Sequence, residues 1–418
     1  MPSRPAEPGS TNSGPGRRSL LLPAAAALTA TSLPAMAQPR PGTPRAGAPR
    51  APAGPAPTPA TTPLGPFDTI ARQALIIDAD TREVLLSKNA EERMPPSSMS
   101  KLMTMYMVFS MLKAGRLKLD QELPVSERAW RMQGSKMFVQ LGNSIPVESL
   151  IRGVIVQSGN DACVVLAEGI SGSEQQFAEA MNIKAREIGL TSSNFRNATG
   201  WPDPEHRMTC ADLATLARRI ITDFPDYYKF YNERSFTWNG ITQENRNPAL
   251  SKVPGADGLK TGHTEEAGYG LTASAKRGDR RLILVFNGLP SMKARGEESE
   301  RLMEWGFREF ENVVLFRAAE VVQEVPVHLG ERPTVPLVGG RDLVVTMPKA
   351  WRQRMQVKLR YDQPVAAPVL KGQKLGALVV SGQGMTGAEH ELFAGADVER
   401  LGLLPRIPAV IGRWFAGS

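Results

Sequence analysis

Ser98 stands three residues ahead of Lys101 in the stretch Pro95-Pro96-Ser97-Ser98-Met99-Ser100-Lys101-Leu102. Residues three apart share one side of a helix, so the Ser98 hydroxyl and the Lys101 amine are neighbours there. A hydroxyl attacks poorly until its proton is removed. An amine can take that proton once burial or a nearby cation disfavours its ammonium form. A capping serine followed by a solvated lysine has the same spelling, so the pair alone does not decide. Two later stretches add weight: Ser158-Gly159-Asn160, and then Lys260-Thr261-Gly262. Each is common by itself. In this order they match the S-x-x-K, S-x-N, K-T-G set of serine acyl-transfer enzymes, with Gly159 where that set usually has Asp.

The elements that must hold these residues follow from patterning. Two prolines end what precedes Ser97. Met99, Leu102, Met103, Tyr106, Phe109 and Leu112 then recur at helical spacing and predict a helix with one apolar face. Upstream, Gln73–Asp78 and Glu83–Lys88 predict a hairpin about Ala79-Asp80-Thr81-Arg82. Helical patterns run on to about Phe224, with breaks at Gly115, Gly142, Gly172 and the loop Asn197–Arg207. Strand character returns at Ser235–Trp238, Leu259–Thr264, Gly270–Ala275 and Leu282–Asn287, and a last helix is predicted over Arg295–Phe310. Strands at both ends of a helical insertion predict one α/β (α+β) domain, residues 67–312. All these strands are expected in a single, mainly antiparallel sheet. Lys260 then lies on a strand along which a peptide could dock, and Gly262 would let that peptide's backbone come close.

The chain has 418 residues, of which 41% are hydrophobic, enough for two folded domains. Its net charge of +8 is concentrated at one end, since residues 1–66 contain six arginines and one acid. No basic run with interleaved aromatics follows, which argues against nucleic-acid binding. Arg17-Arg18, the apolar stretch Leu20–Leu33 and Ala35-Met36-Ala37 predict an export signal over residues 1–37, and hence a periplasmic protein. The arginine pair leaves twin-arginine export open beside the general route. Residues 38–66, rich in Pro and Ala, are expected to form an unfolded tether. Short alternating runs predict a small β-sandwich-like domain at residues 313–395. Residues 396–418 are predicted to be an amphipathic segment, with Leu401, Leu404, Ile407, Val410, Ile411, Trp414 and Phe415 on one face. Such a segment could lie on the outer face of the cytoplasmic membrane, or dock on its own protein. Two cysteines, Cys163 and Cys210, are too few for a disulfide framework, and their pairing is left open. His-x-x-x-His, Cys-x-x-Cys and carboxylate clusters are absent from the sequence, so neither a metal nor a cofactor is expected.

Over residues 67–312 the chain resembles the low-molecular-mass penicillin-binding proteins of the serine-type D-alanyl-D-alanine carboxypeptidase family. The resemblance rests on Ser98-Met99-Ser100-Lys101-Leu102-Met103-Thr104, Ser158-Gly159-Asn160-Asp161-Ala162-Cys163 and Asp257-Gly258-Leu259-Lys260-Thr261-Gly262-His263-Thr264. It implies hydrolysis of peptidoglycan stems ending in D-Ala-D-Ala, with β-lactams as covalent inhibitors. Ser98 would be the nucleophile and Lys101 its base, with burial and the nearby Lys260 ammonium disfavouring its own ammonium form. Ser158 would relay a proton to the leaving amine, and Asn160 would hold Lys101 or the substrate amide. Lys260 and Thr261 would meet the substrate carboxylate. The backbone N–H groups of Ser98 and His263 would receive the oxyanion. Arg246 is a further candidate for the carboxylate, with a surface ion pair as its other reading. Asp203 and Glu205 sit where a β-lactamase would carry its deacylating glutamate, in a sequence that does not match, so slow release of β-lactams is expected. A D,D-endopeptidase or β-lactamase of the same fold, or a non-catalytic wall-binding protein, are the alternatives.

Overall fold

The computed structural model describes residues 58–382 and 388–402. The predicted signal segment and most of the predicted amphipathic segment lie outside the described residues.

The first domain is built on five strands in the spatial order Val84–Lys88, Gln73–Asp78, Arg280–Leu289, Gly268–Arg277, Ala256–Thr264. Every neighbouring pair is antiparallel. Alternate residues of one strand enter different cores: Leu75 and Ile77 face the helical insertion, while Ala74 and Ile76 face the terminal helix Met292–Glu309. A sheet covered on both faces has no polar face, which explains the unbroken apolar run in Gln73–Asp78. Helices 101–113, 147–155, 160–171, 174–187 and 210–223 fill the insertion. Ser173, Thr209 and Ser291 cap their helices by accepting from the backbone N–H three residues on.

After Glu309 the chain passes directly into the strand Phe310–Phe316, which pairs with Leu343–Pro348. Beyond it stands a six-stranded sheet in the order Gln356–Tyr361, Lys374–Ser381, Ala388–Ala394, Thr334–Gly339, Val321–His328, Val365–Ala366. Its final pair is parallel and the others are antiparallel. Val325, Val335, Leu337, Leu378 and Leu392 form its core.

Four expectations are corrected. Helix 101–113 is apolar on most sides rather than one, because it lies between the sheet and the other helices; Met105 and Val108 are as buried as Leu102. Ser235–Trp238 does not join the main sheet. It pairs with Ile241–Glu244 in a separate hairpin whose side chains are all exposed or half-buried. The tether ends before Pro66: Thr61 exchanges backbone hydrogen bonds with Ser87, and Ala60 with Phe67. An edge strand offers unpaired backbone groups, and the arriving chain satisfies them. Residues 396–401 belong to the β domain, not to the amphipathic segment, since Val398 is buried and pairs with Val369.

Candidate active site

Three chain segments converge on Ser98. The first is the 3-10 turn Ser97–Ser100 that leads into helix 101–113. Ser97 has a positive φ of 50°, an uncommon backbone state for a residue with a side chain. The second is the Lys260 strand, Ala256–Thr264, an edge of the main sheet. A Cβ on Gly262 would stand 2.8 Å from the Pro96 carbonyl oxygen. The absence of a side chain at Gly262 therefore serves contact with this chain's own turn, a role the sequence reading had given to a substrate. The third is the loop around Gly200, where a Cβ would lie 1.9 Å from the Ser97 carbonyl oxygen.

Within this junction the Lys101 amine is fully buried. Its Nζ donates to Ser98 Oγ at 2.8 Å, to Asn160 Oδ1 at 2.8 Å and to the Thr199 carbonyl oxygen at 2.5 Å. Of the two partners foreseen for Asn160, the structure has Lys101. Asn160 is itself oriented by donating from Nδ2 to the Gln133 carbonyl oxygen at 2.7 Å. The neighbouring Asp161 carboxylate accepts from the backbone N–H groups of Met137, Phe138 and Val139 and so ties down the loop over the site. Ser158 precedes Asn160 with a positive φ of 59° and is 3% exposed.

Burial brings the Lys101 amine down from 10.5 to about 8, and the Arg246 charge adds to the effect. Lys260 is likewise buried and held well below the ordinary lysine range, first by burial and then by the charges of Lys101 and Arg246. Burial is the leading cause at both amines, and the repulsion between them is mutual, so each disfavours the ammonium form of the other. Lys260 Nζ donates to the Thr261 carbonyl oxygen at 3.2 Å. His263 continues the strand opposite Tyr269, with ring centroids 3.9 Å apart.

Arg246 is exposed and donates from Nη1 to Ser135 Oγ. No carboxylate pairs with it among the described residues, so its surface-ion-pair reading is not met. Sequence reasoning missed three contributors. The Thr199 carbonyl is a backbone group with no residue signature. Asn197 and Gly200 form a turn whose Asn-x-x-Gly spelling was the available signal. Arg295, from the terminal helix, is 5% exposed, brought by burial to about 10, and has a buried Nε without a hydrogen-bond partner. Cys163 is also buried and free, its thiol pushed up by burial to about 12, and Cys210 is free as well. Asp203 and Glu205 hold their own loop together: Asp203 Oδ1 accepts from the Glu205 N–H at 2.7 Å.

A serine hydroxyl held against a buried amine whose ammonium form is disfavoured, beside an edge strand carrying a second amine, fits a serine acyl-transfer enzyme that uses lysine as its base. Comparison with known proteins narrows the class. Residues 59–290 match the D-alanyl-D-alanine carboxypeptidase family, and residues 310–400 match the C-terminal domain of penicillin-binding protein 5. The chain is 38% identical to D-alanyl-D-alanine carboxypeptidase DacA of Haemophilus influenzae over 81% of its own length and 87% of that protein. It is 36% identical to DacC of Escherichia coli over 83% and 90% of the two chains. The crystal structure of penicillin-binding protein 5 from Haemophilus influenzae superposes with a TM-score of 0.76, at 37% identity, over 80% of this chain and 99% of that one. The chain belongs to the D-alanyl-D-alanine carboxypeptidase family.

Proposed function

We propose that this enzyme removes the terminal D-alanine from peptidoglycan stems ending in D-Ala-D-Ala, through an acyl-enzyme on Ser98. The observation that carries this reading is the Lys101 amine, buried, brought to about 8 and hydrogen-bonded to Ser98 Oγ. A neutral amine has two N–H groups and one lone pair. Asn160 Oδ1 and the Thr199 carbonyl are acceptors only, so they take the two N–H groups. The lone pair is left for the Ser98 O–H.

Ser98 Oγ then attacks the carbonyl carbon of the penultimate D-alanine while its proton passes to Lys101 Nζ. The backbone N–H groups of Ser98 and His263 receive the oxyanion. Collapse breaks the peptide bond, and the Lys101 proton reaches the departing amine through the Ser158 hydroxyl. Water next attacks the ester, Lys101 takes its proton, and Ser98 leaves as the free hydroxyl. Lys260, whose ammonium form is disfavoured by burial, gains a counter-charge from the substrate carboxylate, with Thr261 and Arg246 beside it. A β-lactam follows the first half, but its leaving group stays attached, and release is slow.

Fluorescent penicillin provides the test. The unaltered chain is expected to be labelled and Ser98→Ala is not; an unlabelled parent would sink the reading. Incubation with a D-Ala-D-Ala pentapeptide should release D-alanine. Cleavage of a cross-linked dimer alone would instead favour the endopeptidase.

The location belongs to the same proposal. The signal-like N-terminus supports export to the periplasm, and the amphipathic pattern beyond Leu403 supports contact with the outer face of the cytoplasmic membrane. Removing residues 403–418 should move the protein from the membrane to the soluble fraction. Equal distribution of both forms would count against the anchor.

A further inference from the structure

We infer that Asn197 is a positioning residue for acyl transfer, because its side chain fixes the direction of the Thr199 carbonyl that orients the Lys101 amine toward Ser98. The inference rests on the carboxypeptidase reading and adds a residue outside the three motifs.

The lone pair of Lys101 points at Ser98 only while both its N–H groups have acceptors elsewhere. Asn160 Oδ1 is one, and it is secured by Gln133. The other is a loop carbonyl, and its direction is only as good as the loop's geometry. Asn197 Oδ1 lies within hydrogen-bond distance of four donors: Thr199 N at 3.1 Å, Thr199 Oγ1 at 3.0 Å, Gly200 N at 2.8 Å and Trp201 N at 3.0 Å. Its Nδ2 donates to the Trp201 carbonyl oxygen at 3.0 Å, which closes the turn. The preceding peptide is anchored separately. Ala198 N–H donates to Glu174 Oε1 at 3.1 Å, and the Ala198 carbonyl accepts from Thr104 Oγ1 at 2.6 Å. Those two contacts set where the loop sits. The Asn197 contacts set how the Thr199 peptide is rotated, because they hold its N–H and the N–H that follows. Asn197 is only half-buried, so its contribution lies in these hydrogen bonds more than in packing. It makes no hydrogen bond to Lys101 or Ser98 and acts through Thr199.

Geometry of this kind enters the chemical step rather than binding, and a displacement near 1 Å costs roughly a hundredfold. The test is stopped-flow acylation of the full chain by penicillin over a pH series, with the folded fraction measured by circular dichroism. Asn197→Ala should lower the limiting acylation rate about tenfold to a hundredfold at every pH. The dissociation constant of the preceding complex should stay within about twofold, with the protein still folded. Asn197→Asp retains the acceptor and adds negative charge near Lys101, which favours the ammonium form. It should recover most of the rate, with the rise in activity displaced to higher pH. Full activity in Asn197→Ala would overturn the inference, as would equal impairment of both variants at all pH values or a loss confined to the dissociation constant. In each of those cases the parent still acylates. A parent that does not acylate would overturn the carboxypeptidase reading itself, and this inference with it.

Discussion

In the catalytic domain Lys101, Asn160, Asp161, Glu174 and Lys260 are almost wholly out of water, whereas beyond Phe310 Thr346 is the one buried polar side chain among the described residues. The charged pairs of the β domain, such as Arg360–Glu389 and Lys374–Glu391, stand at the surface. Burial makes an ammonium group unstable and its lone pair available, so the free energy that Lys101 costs the fold is the same free energy that would fit it to act as a base. The β domain has no such conflict. Its core is aliphatic and its ion pairs are solvated; among the described residues burial lowers His390 and the hydrogen bond from Arg317 lowers Asp342.

The largest expected contrast comes from Lys101→Met. Penicillin acylation should fall on the order of 10^4-fold or more, as when a nucleophile loses its base. Stability should respond in a pH-dependent way. The folded-state pKa lies below the unfolded one, so between about 8 and 10.5 the unfolded chain binds the additional proton and parent stability rises with pH. Relative to Lys101→Met, the parent should gain up to about 3 kcal/mol across that window, read by urea unfolding at a series of pH values. A pH-independent difference would mean that Lys101 is not destabilised in the fold.

Two glycines sharpen the comparison next. Gly200 and Gly372 both have positive φ, of 76° and 81°, but a Cβ on Gly200 would strike the Ser97 carbonyl while one on Gly372 would meet nothing within 4 Å. Gly372→Ala should cost about 1–2 kcal/mol of backbone strain and leave acylation intact. Gly200→Ala should lower acylation at least about tenfold, because the loop carrying Thr199 must move off the turn carrying Ser98. Unfolding curves together with labelling rates would check both. Similar labelling rates in the two variants would refute the distinction.

The pH profile of the parent gives a smaller effect. Acylation needs the neutral amine, so its rate should rise with pH through about 8 and level off above it. A midpoint near an ordinary lysine's value would remove Lys101 as the base. The smallest effect is expected from Lys374→Ala. Its partner Glu391 and Lys374 itself are more than half exposed, so stability should change by less than about 1 kcal/mol and acylation not at all.

Much of this site was legible in the sequence because its motifs are local. Ser98 and Lys101 sit one helical turn apart, Ser158 and Asn160 share a loop and helix start, and Lys260 and Thr261 are adjacent on a strand. The hairpin Gln73–Asp78 with Val84–Lys88 was legible for the same reason, since its apolar runs flank a short turn. Other parts were not. Ser235–Trp238 has strand composition, but composition does not name a partner, and it pairs with the nearest strand rather than the main sheet. The Thr199 carbonyl carries no side-chain signal, and Arg295 arrives from a helix far along the chain to stand near Arg246.

Residue types and order alone established that a nucleophile, an amine, an amide and a second amine were present, and that they resembled one enzyme family. Tertiary structure decided which of them is activated and by what. Burial is a property of the assembled core and cannot be assigned to a lysine from its neighbours in the chain. Only the folded molecule shows Lys101 and Lys260 both out of water, and Gly200 and Gly262 bringing two distant segments against the Ser98 turn. Spacing along the chain sets what can be adjacent on one element, while desolvation and the direction of a backbone carbonyl depend on every element that closes around them.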